Sequence, residues 1–148
     1  MKKIIWIASY PKSGNTYVRA FLSHYLFSKN SNPDFNLLKK IPKFEKKETF
    51  ANILNKKLSE DDLNFIEHSL YIQKKLIKKF DQKKLIFKTH HFFGEFNNHI
   101  FTDVNHTLLF IYIVRDPREV LVSYASHNNE SVDELLDLFV SNNVFKSS

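Results

Sequence analysis

Apolar residues run without interruption from Ile4 to Ala8, the pattern of a strand buried on both faces of a parallel sheet; a half-buried strand would alternate. Ser9 to Gly14 breaks the run. From Asn15 onward, Val18, Phe21, Leu22, Tyr25 and Leu26 recur at helical spacing. This predicts a helix to about Ser28 with one face on the sheet.

The stretch from Lys29 to Leu58 is polar, Lys-rich and without a convincing period, and it carries Pro33 and Pro42. It reads as loop with at most a short helix. Ser59 then offers an N-cap with Asp62 three residues on, and Leu63, Ile66, Leu70, Ile77 and Phe80 keep one apolar stripe along a long helix. Leu85 to Phe87 make a second strand, ending at Lys88-Thr89-His90-His91, and Leu108 to Val114 a third. After the third strand Asp116 can cap, Pro117 suits the first helical position and Glu119 can complete a capping box, for a helix to about His127. A last helix starts at Ser131, with Glu134 three residues later and Leu135, Leu138 and Phe139 on one side. Strands separated by helical segments predict an α/β fold with a parallel sheet flanked by helices, in one domain over 1–148.

Composition narrows the chemistry. Cysteine is absent, which removes disulfides and thiolate metal sites. No run approaches the roughly 18 apolar residues of a membrane span, and the N-terminal apolar segment is short for a signal peptide, so a soluble, cytoplasmic protein is expected. The net charge of +6 is nearly all Lys, spread in pairs such as Lys56-Lys57 and Lys78-Lys79. That pattern reads as a solvated surface rather than a nucleic-acid patch. Only three Arg and two Gly occur, and Arg115, Arg118 and Gly14 fall in segments that follow predicted strands.

The first such segment is Ser9-Tyr10-Pro11-Lys12-Ser13-Gly14-Asn15-Thr16. Between a buried strand and a helix N-terminus, successive N–H groups point outward and the helix dipole favours negative charge. Lys12, Ser13 and Thr16 can complete an anion cradle around Gly14. The order differs from the ATPase pattern, because Lys12 precedes Gly14. A plain strand-to-helix turn is the other reading of the same residues.

Tyr10 to Tyr17 resembles the 5′-phosphosulfate loop, usually written YPKSGTTW, of sulfotransferases that use 3′-phosphoadenosine-5′-phosphosulfate (PAPS). Asn15 stands for a Thr and Tyr17 for a Trp, keeping a hydrogen-bonding side chain and an aromatic. The resemblance implies a P-loop, nucleotide-kinase-like fold. It assigns Lys12, Ser13, Gly14, Asn15, Thr16 and Tyr17 to the nucleotide, with Lys12 on the charge of the leaving phosphate.

Lys88-Thr89-His90 is similar to the family's K-T-H. Two residues apart on a strand, Lys88 and His90 leave the same face while the strand persists. A His can take a proton near neutral pH and a Lys can steady oxyanions. By resemblance His90 is the general base, with Lys88 and Lys12 on the transferred and leaving oxygens; His91 lies outside the motif. The segment from Arg115 to Ser123 resembles the family's 3′-phosphate site, with Arg115 and Ser123 as the two donors. Arg118 has no assigned part, and a surface pair of Arg118 with Glu119 is the alternative.

The resemblance spans residues 2 to about 128. It implies transfer of a sulfuryl group from PAPS to a hydroxyl or amine of a small-molecule, glycan or lipid acceptor, with no metal required. Family chains are about twice as long and carry an Arg-Lys-Gly loop that this sequence lacks. A truncated fold with exposed apolar surface is therefore expected. A phosphate-transferring P-loop enzyme and a non-catalytic nucleotide-binding fragment remain open alternatives.

Overall fold

The computed structural model describes residues 2–30, 32–55, 65–80, 85–96 and 98–140. Strands β1 (Ile4–Ser9), β2 (Leu85–Thr89) and β5 (Thr107–Ile113) form a parallel sheet in the order β2-β1-β5. Register runs from Ile4↔Leu85 to Ala8↔Thr89 on one side of β1 and from Ile5↔Leu109 to Ser9↔Ile113 on the other. All three strands therefore end at one edge. A two-stranded hairpin, β3 (Glu95–Phe96) and β4 (His99–Ile100), stands apart from this sheet.

Alternation along β1 and β2 divides the core. Ile4, Trp6, Leu85 and Phe87 pack on one face with Phe50 of α2 (Lys47–Leu54) and Ile72 and Leu76 of α3 (Phe65–Lys79). Ile7 and Ile86 face the other way, against Val18 and Leu22 of α1 (Asn15–Phe27). This is the expected parallel sheet with helices on both faces. Trp6 has the rings of Phe44 and Phe101 each 5.0 Å away by centroid, edge-to-face and tilted contacts that favour close aromatic packing.

The region read as mostly loop is more ordered than expected. It holds a 3-10 helix (Phe35–Lys40), then α2, and between them Ile41 and Phe44 are buried to 0% and 1%. Isolated apolar residues among lysines left no period to read; Ile41 and Phe44 join the core, while Phe35 stays exposed. Removing the Phe44 ring would cost about 3–5 kcal/mol through lost transfer energy and the cavity left behind.

Helix α3 buries Ile66 as expected, but the rest of its buried stripe is shifted. The proposed Ser59 cap lies outside the described residues; Leu70 and Ile77 are half-buried and Phe80 exposed, whereas Ser69 and Gln73 are fully buried beside Ile72 and Leu76. Ser69 Oγ donates to the Phe101 carbonyl, Gln73 Nε2 donates to the same oxygen at 2.7 Å, and Thr102 Oγ1 donates to Gln73 Oε1 at 2.7 Å. Polar side chains that satisfy backbone carbonyls can be buried without penalty, so polarity misled the choice of face.

Helices α4 (Pro117–Asn128) and α5 (Val132–Val140) pack together through Leu121, Tyr124, Ala125, Leu135 and Phe139. The Ser131–Glu134 box forms: Glu134 N donates to Ser131 Oγ at 3.2 Å and Ser131 N to Glu134 Oε2 at 3.3 Å. Strand β5 is only partly buried. It lies at a sheet edge with Leu108 65% and Leu109 51% exposed, so apolar surface is open there. Among the described residues no helix is long and apolar enough to cross a membrane.

Candidate functional site

Between β1 and α1, Ser13 N donates to the Tyr10 carbonyl at 3.2 Å, and Lys12 and Gly14 both take left-handed backbone (φ 65° and 96°). Gly14 adopts this freely, while the Cβ of Lys12 makes it costly, on the order of 1 kcal/mol or more. Left-handed residues alternating with Ser13 make a concave run of N–H groups at the positive end of α1. A Cβ added at Gly14 would meet nothing within 4 Å, so the backbone there faces open space.

The loop side chains divide. Thr16 and Tyr17 are exposed, and Ser13 is buried. Asn15, assigned to the nucleotide by resemblance, turns its side chain inward. Asn15 Nδ2 donates to the Ile7 carbonyl and to Ser9 Oγ, both at 3.1 Å. The amide ties the start of α1 back to β1, and only the backbone of Asn15 remains at the helix N-terminus.

Arg115, just beyond β5, reaches across to the loop. Its Nη1 donates to the Lys12 carbonyl at 3.1 Å and its Nη2 to Glu119 Oε2 at 3.0 Å. A cleft of about 510 Å³ opens beside it, lined by Lys12, Arg115 and Ser123 together with Glu119, Ser126 and His127. Residues from the first and third motifs are thus brought together on one wall.

Two expectations about α4 change. Asp116 caps the helix, accepting from Arg118 N at 2.9 Å, but Glu119 turns to Arg115 rather than back to the cap. An arginine four residues away offers a charge-assisted bond that a backbone N–H cannot match. Arg118 pairs with Asp116 at 2.6 Å, not with Glu119. The guanidinium lowers the Asp116 carboxyl below its ordinary range.

At the end of β2, His90 Nδ1 lies 2.8 Å from the Ser9 carbonyl. A carbonyl only accepts, so Nδ1 carries the proton and Nε2 keeps its lone pair. The strand stops at Thr89, and this bond to the neighbouring strand, rather than strand alternation, orients the ring. Burial, the largest influence, holds His90 below the usual histidine range, and nearby Lys88 and Lys43 add to the effect. Lys88 is half-buried and pulled down to about 8, first by burial and then by Lys43, with Glu45 opposing.

Lys43 and Glu45 had no signal in the sequence reading. They arrive on a strap, 42–45, whose backbone bonds flank Lys88: Lys88 N donates to the Pro42 carbonyl and Phe44 N to the Lys88 carbonyl, each at 2.9 Å. Arg19, the third arginine, donates to the Ile41 carbonyl at 2.7 and 3.0 Å and to the Leu38 carbonyl at 3.3 Å, securing the strap's approach. The available hint was the spacing of Ile41 and Phe44 around Pro42 in an otherwise polar run.

Along the edge where the strands end, the order is therefore strap, Lys88–His90, the Lys12 loop, then Arg115. Positive and proton-accepting groups from three adjacent parallel strands converge there, the usual position for ligands of open α/β sheets. No curated protein matches the chain. A family model described as a sulfotransferase domain matches residues 2–147, extending beyond the three motifs through α5.

Proposed function

This chain belongs to the sulfotransferase domain family, and from that premise we propose that it takes a sulfuryl group from PAPS and delivers it to an acceptor hydroxyl or amine. The observation that carries the reading is the single cleft lined by Lys12, Arg115 and Ser123 beside the left-handed loop. Cationic and hydroxyl donors from different elements, next to a helix N-terminus, suit a nucleotide with two separate phosphates.

PAPS supplies a sulfuryl group already activated by its link to phosphate. The loop N–H groups of Ser13, Gly14, Asn15 and Thr16, with Lys12, hold the 5′ side, and Arg115 and Ser123 hold the 3′-phosphate. Arg115 is paired with exposed Glu119, a weak surface interaction that a phosphate dianion can displace. Tyr17, exposed on the first turn of α1, is an aromatic that helps line the site.

The Nε2 of His90 accepts the acceptor's proton as its oxygen or nitrogen forms a bond to sulfur in line with the bond to the leaving phosphate oxygen. That bond breaks with its electron pair on the phosphate, where Lys12 balances the charge, while Lys88 steadies the sulfuryl oxygens. The same reading takes the chain as one domain acting in the cytoplasm on a small-molecule, glycan or lipid acceptor.

Calorimetric titration at low salt with 3′,5′-bisphosphoadenosine against ATP tests the donor site. Saturable bisphosphate binding, weakened about 10- to 100-fold by Lys12→Ala or Arg115→Ala and much tighter than ATP, is expected. ATP preference, or bisphosphate binding indifferent to both substitutions, would overturn the reading.

A further inference from the structure

Beyond Thr89 the chain leaves its ladder with β1, and the backbone N–H of His91 turns back to donate to Thr89 Oγ1 at 3.0 Å. The result is a turn closed by a side chain, with His90 at its middle. Thr89 is fully buried, and its hydroxyl donates in turn to Glu45 Oε1 on the strap. A hydroxyl whose hydrogen is drawn to a carboxylate is held in one direction and becomes the stronger acceptor for it. Glu45, the Thr89 hydroxyl and the His91 N–H thus form a two-link chain from strap to turn.

The same oxygen lies 4.0 Å from His91 Nε2, and the His91 ring stacks on Phe101 at 4.9 Å by centroid. Glu45 therefore stands beside the residues on both sides of His90, while His90 itself sends Nδ1 across to the Ser9 carbonyl. Anchoring the strap does not require this carboxylate. Phe44 in the core, the backbone bonds that flank Lys88 and Arg19 on the Ile41 carbonyl already fix it. The Glu45 side chain is only 7% exposed, and its Oε2 is buried with no hydrogen-bond partner among the described residues. A carboxylate so withdrawn from water weighs against stability, which directs attention to what it does at the turn.

We propose that Glu45 is a positioning residue for His90: through the Thr89 hydroxyl it fixes the turn that presents the His90 ring to the Ser9 carbonyl and leaves Nε2 open to accept a proton. Without the link the turn loosens and Nδ1 leaves the carbonyl for part of the time. The ring proton then resides on Nε2 in a fraction of the molecules, and in those Nε2 accepts nothing. The consequence for transfer rests on the sulfotransferase reading and on His90 as its base. The tautomer of His90 rests on neither, so the two can fail separately.

The test is the long-range proton–nitrogen NMR spectrum of the histidine rings above neutral pH, with the His90 signals assigned by their loss in His90→Gln. The parent should show His90 protonated on Nδ1. Glu45→Leu and Thr89→Val each remove the link, and each should shift the ring towards a mixture of tautomers, whereas Thr89→Ser keeps the hydroxyl and should keep the parent spectrum. In transfer from PAPS to 4-nitrophenol, kcat should fall roughly 10- to 100-fold in the Leu and Val variants, as for a misplaced base. KM for PAPS should stay unchanged, and Thr89→Ser should restore the rate. A parent-like His90 tautomer in either folded variant would overturn the proposal, whatever the rate does. Equal losses in Thr89→Ser and Thr89→Val would also overturn it, because the buried methyl rather than the hydroxyl would then matter. If Glu45→Leu does not fold, the nearly isosteric Thr89→Val decides. If the tautomer moves as expected but the parent transfers nothing, the sulfotransferase reading fails while the positioning role of Glu45 stands.

Discussion

The cleft beside Arg115 and the strand end around Lys88 are neighbours built on opposite physical terms. In the cleft the ion pair is exposed, Arg115 to 39% and Glu119 to 66%, and the Arg118–Asp116 pair at the start of the same helix is exposed too. Water screens such charges, so they add little to the stability of the fold and stay open to a ligand's charge. Around Lys88 the same kinds of group are withdrawn from water, and their protonation moves with every neighbour. A surface of charges recruits an anion; a buried set of charges decides which protonation states exist at neutral pH.

The sharpest way to separate the two regions is His90→Ala. Transfer should fall by roughly 10²- to 10⁴-fold for loss of a general base, with bisphosphate affinity in calorimetry nearly unchanged. An equal loss in both measurements would show that the regions are not independent. The parent's rate should also follow a bell in pH. His90 must be neutral, so activity falls as pH drops through its depressed value, below 6.5. Lys88 must be charged, so activity falls as pH rises through about 8. A flat profile between 6 and 9 would remove this pair from the mechanism.

Smaller effects sharpen the contrast. Glu119→Gln frees Arg115 from a competing carboxylate and should tighten bisphosphate binding a few-fold, on the order of 1 kcal/mol or less, without shifting the pH profile. Gln73→Leu, in a buried network, should cost about 1–3 kcal/mol in a denaturant titration, because Thr102 keeps only Thr107 as a hydroxyl partner and the Phe101 carbonyl loses one of its donors. Arg118→Ala should leave both Tm and bisphosphate affinity unchanged within error, since its partner Asp116 is a helix cap that works through its bond to a backbone N–H.

How far the sequence could be read followed the range of the interactions. Local signals held: the apolar run of β1, the Asp116 cap, the Ser131–Glu134 box, and the glycine at the loop's left-handed exit. Glu119 was misjudged because it had two partners within reach, and only the folded distances choose between them. Ser69 and Gln73 lay outside the apolar stripe read for this helix, because a sequence does not show which backbone carbonyl will need a donor.

The order of segments along the chain determined the α/β class, the parallel strands and the three motifs that mark the family, because each depends on residues a few positions apart. The tertiary structure alone decided that Lys12, Arg115 and Ser123 share a cleft, that the Ser9 carbonyl selects the His90 tautomer, and that the strap bonds to Lys88 through Pro42 and Phe44. Those pairings join residues tens of positions apart. Whether a charge is solvated or buried, and beside which neighbour, is a property of the packed interior, and it is that environment which sets the chemistry.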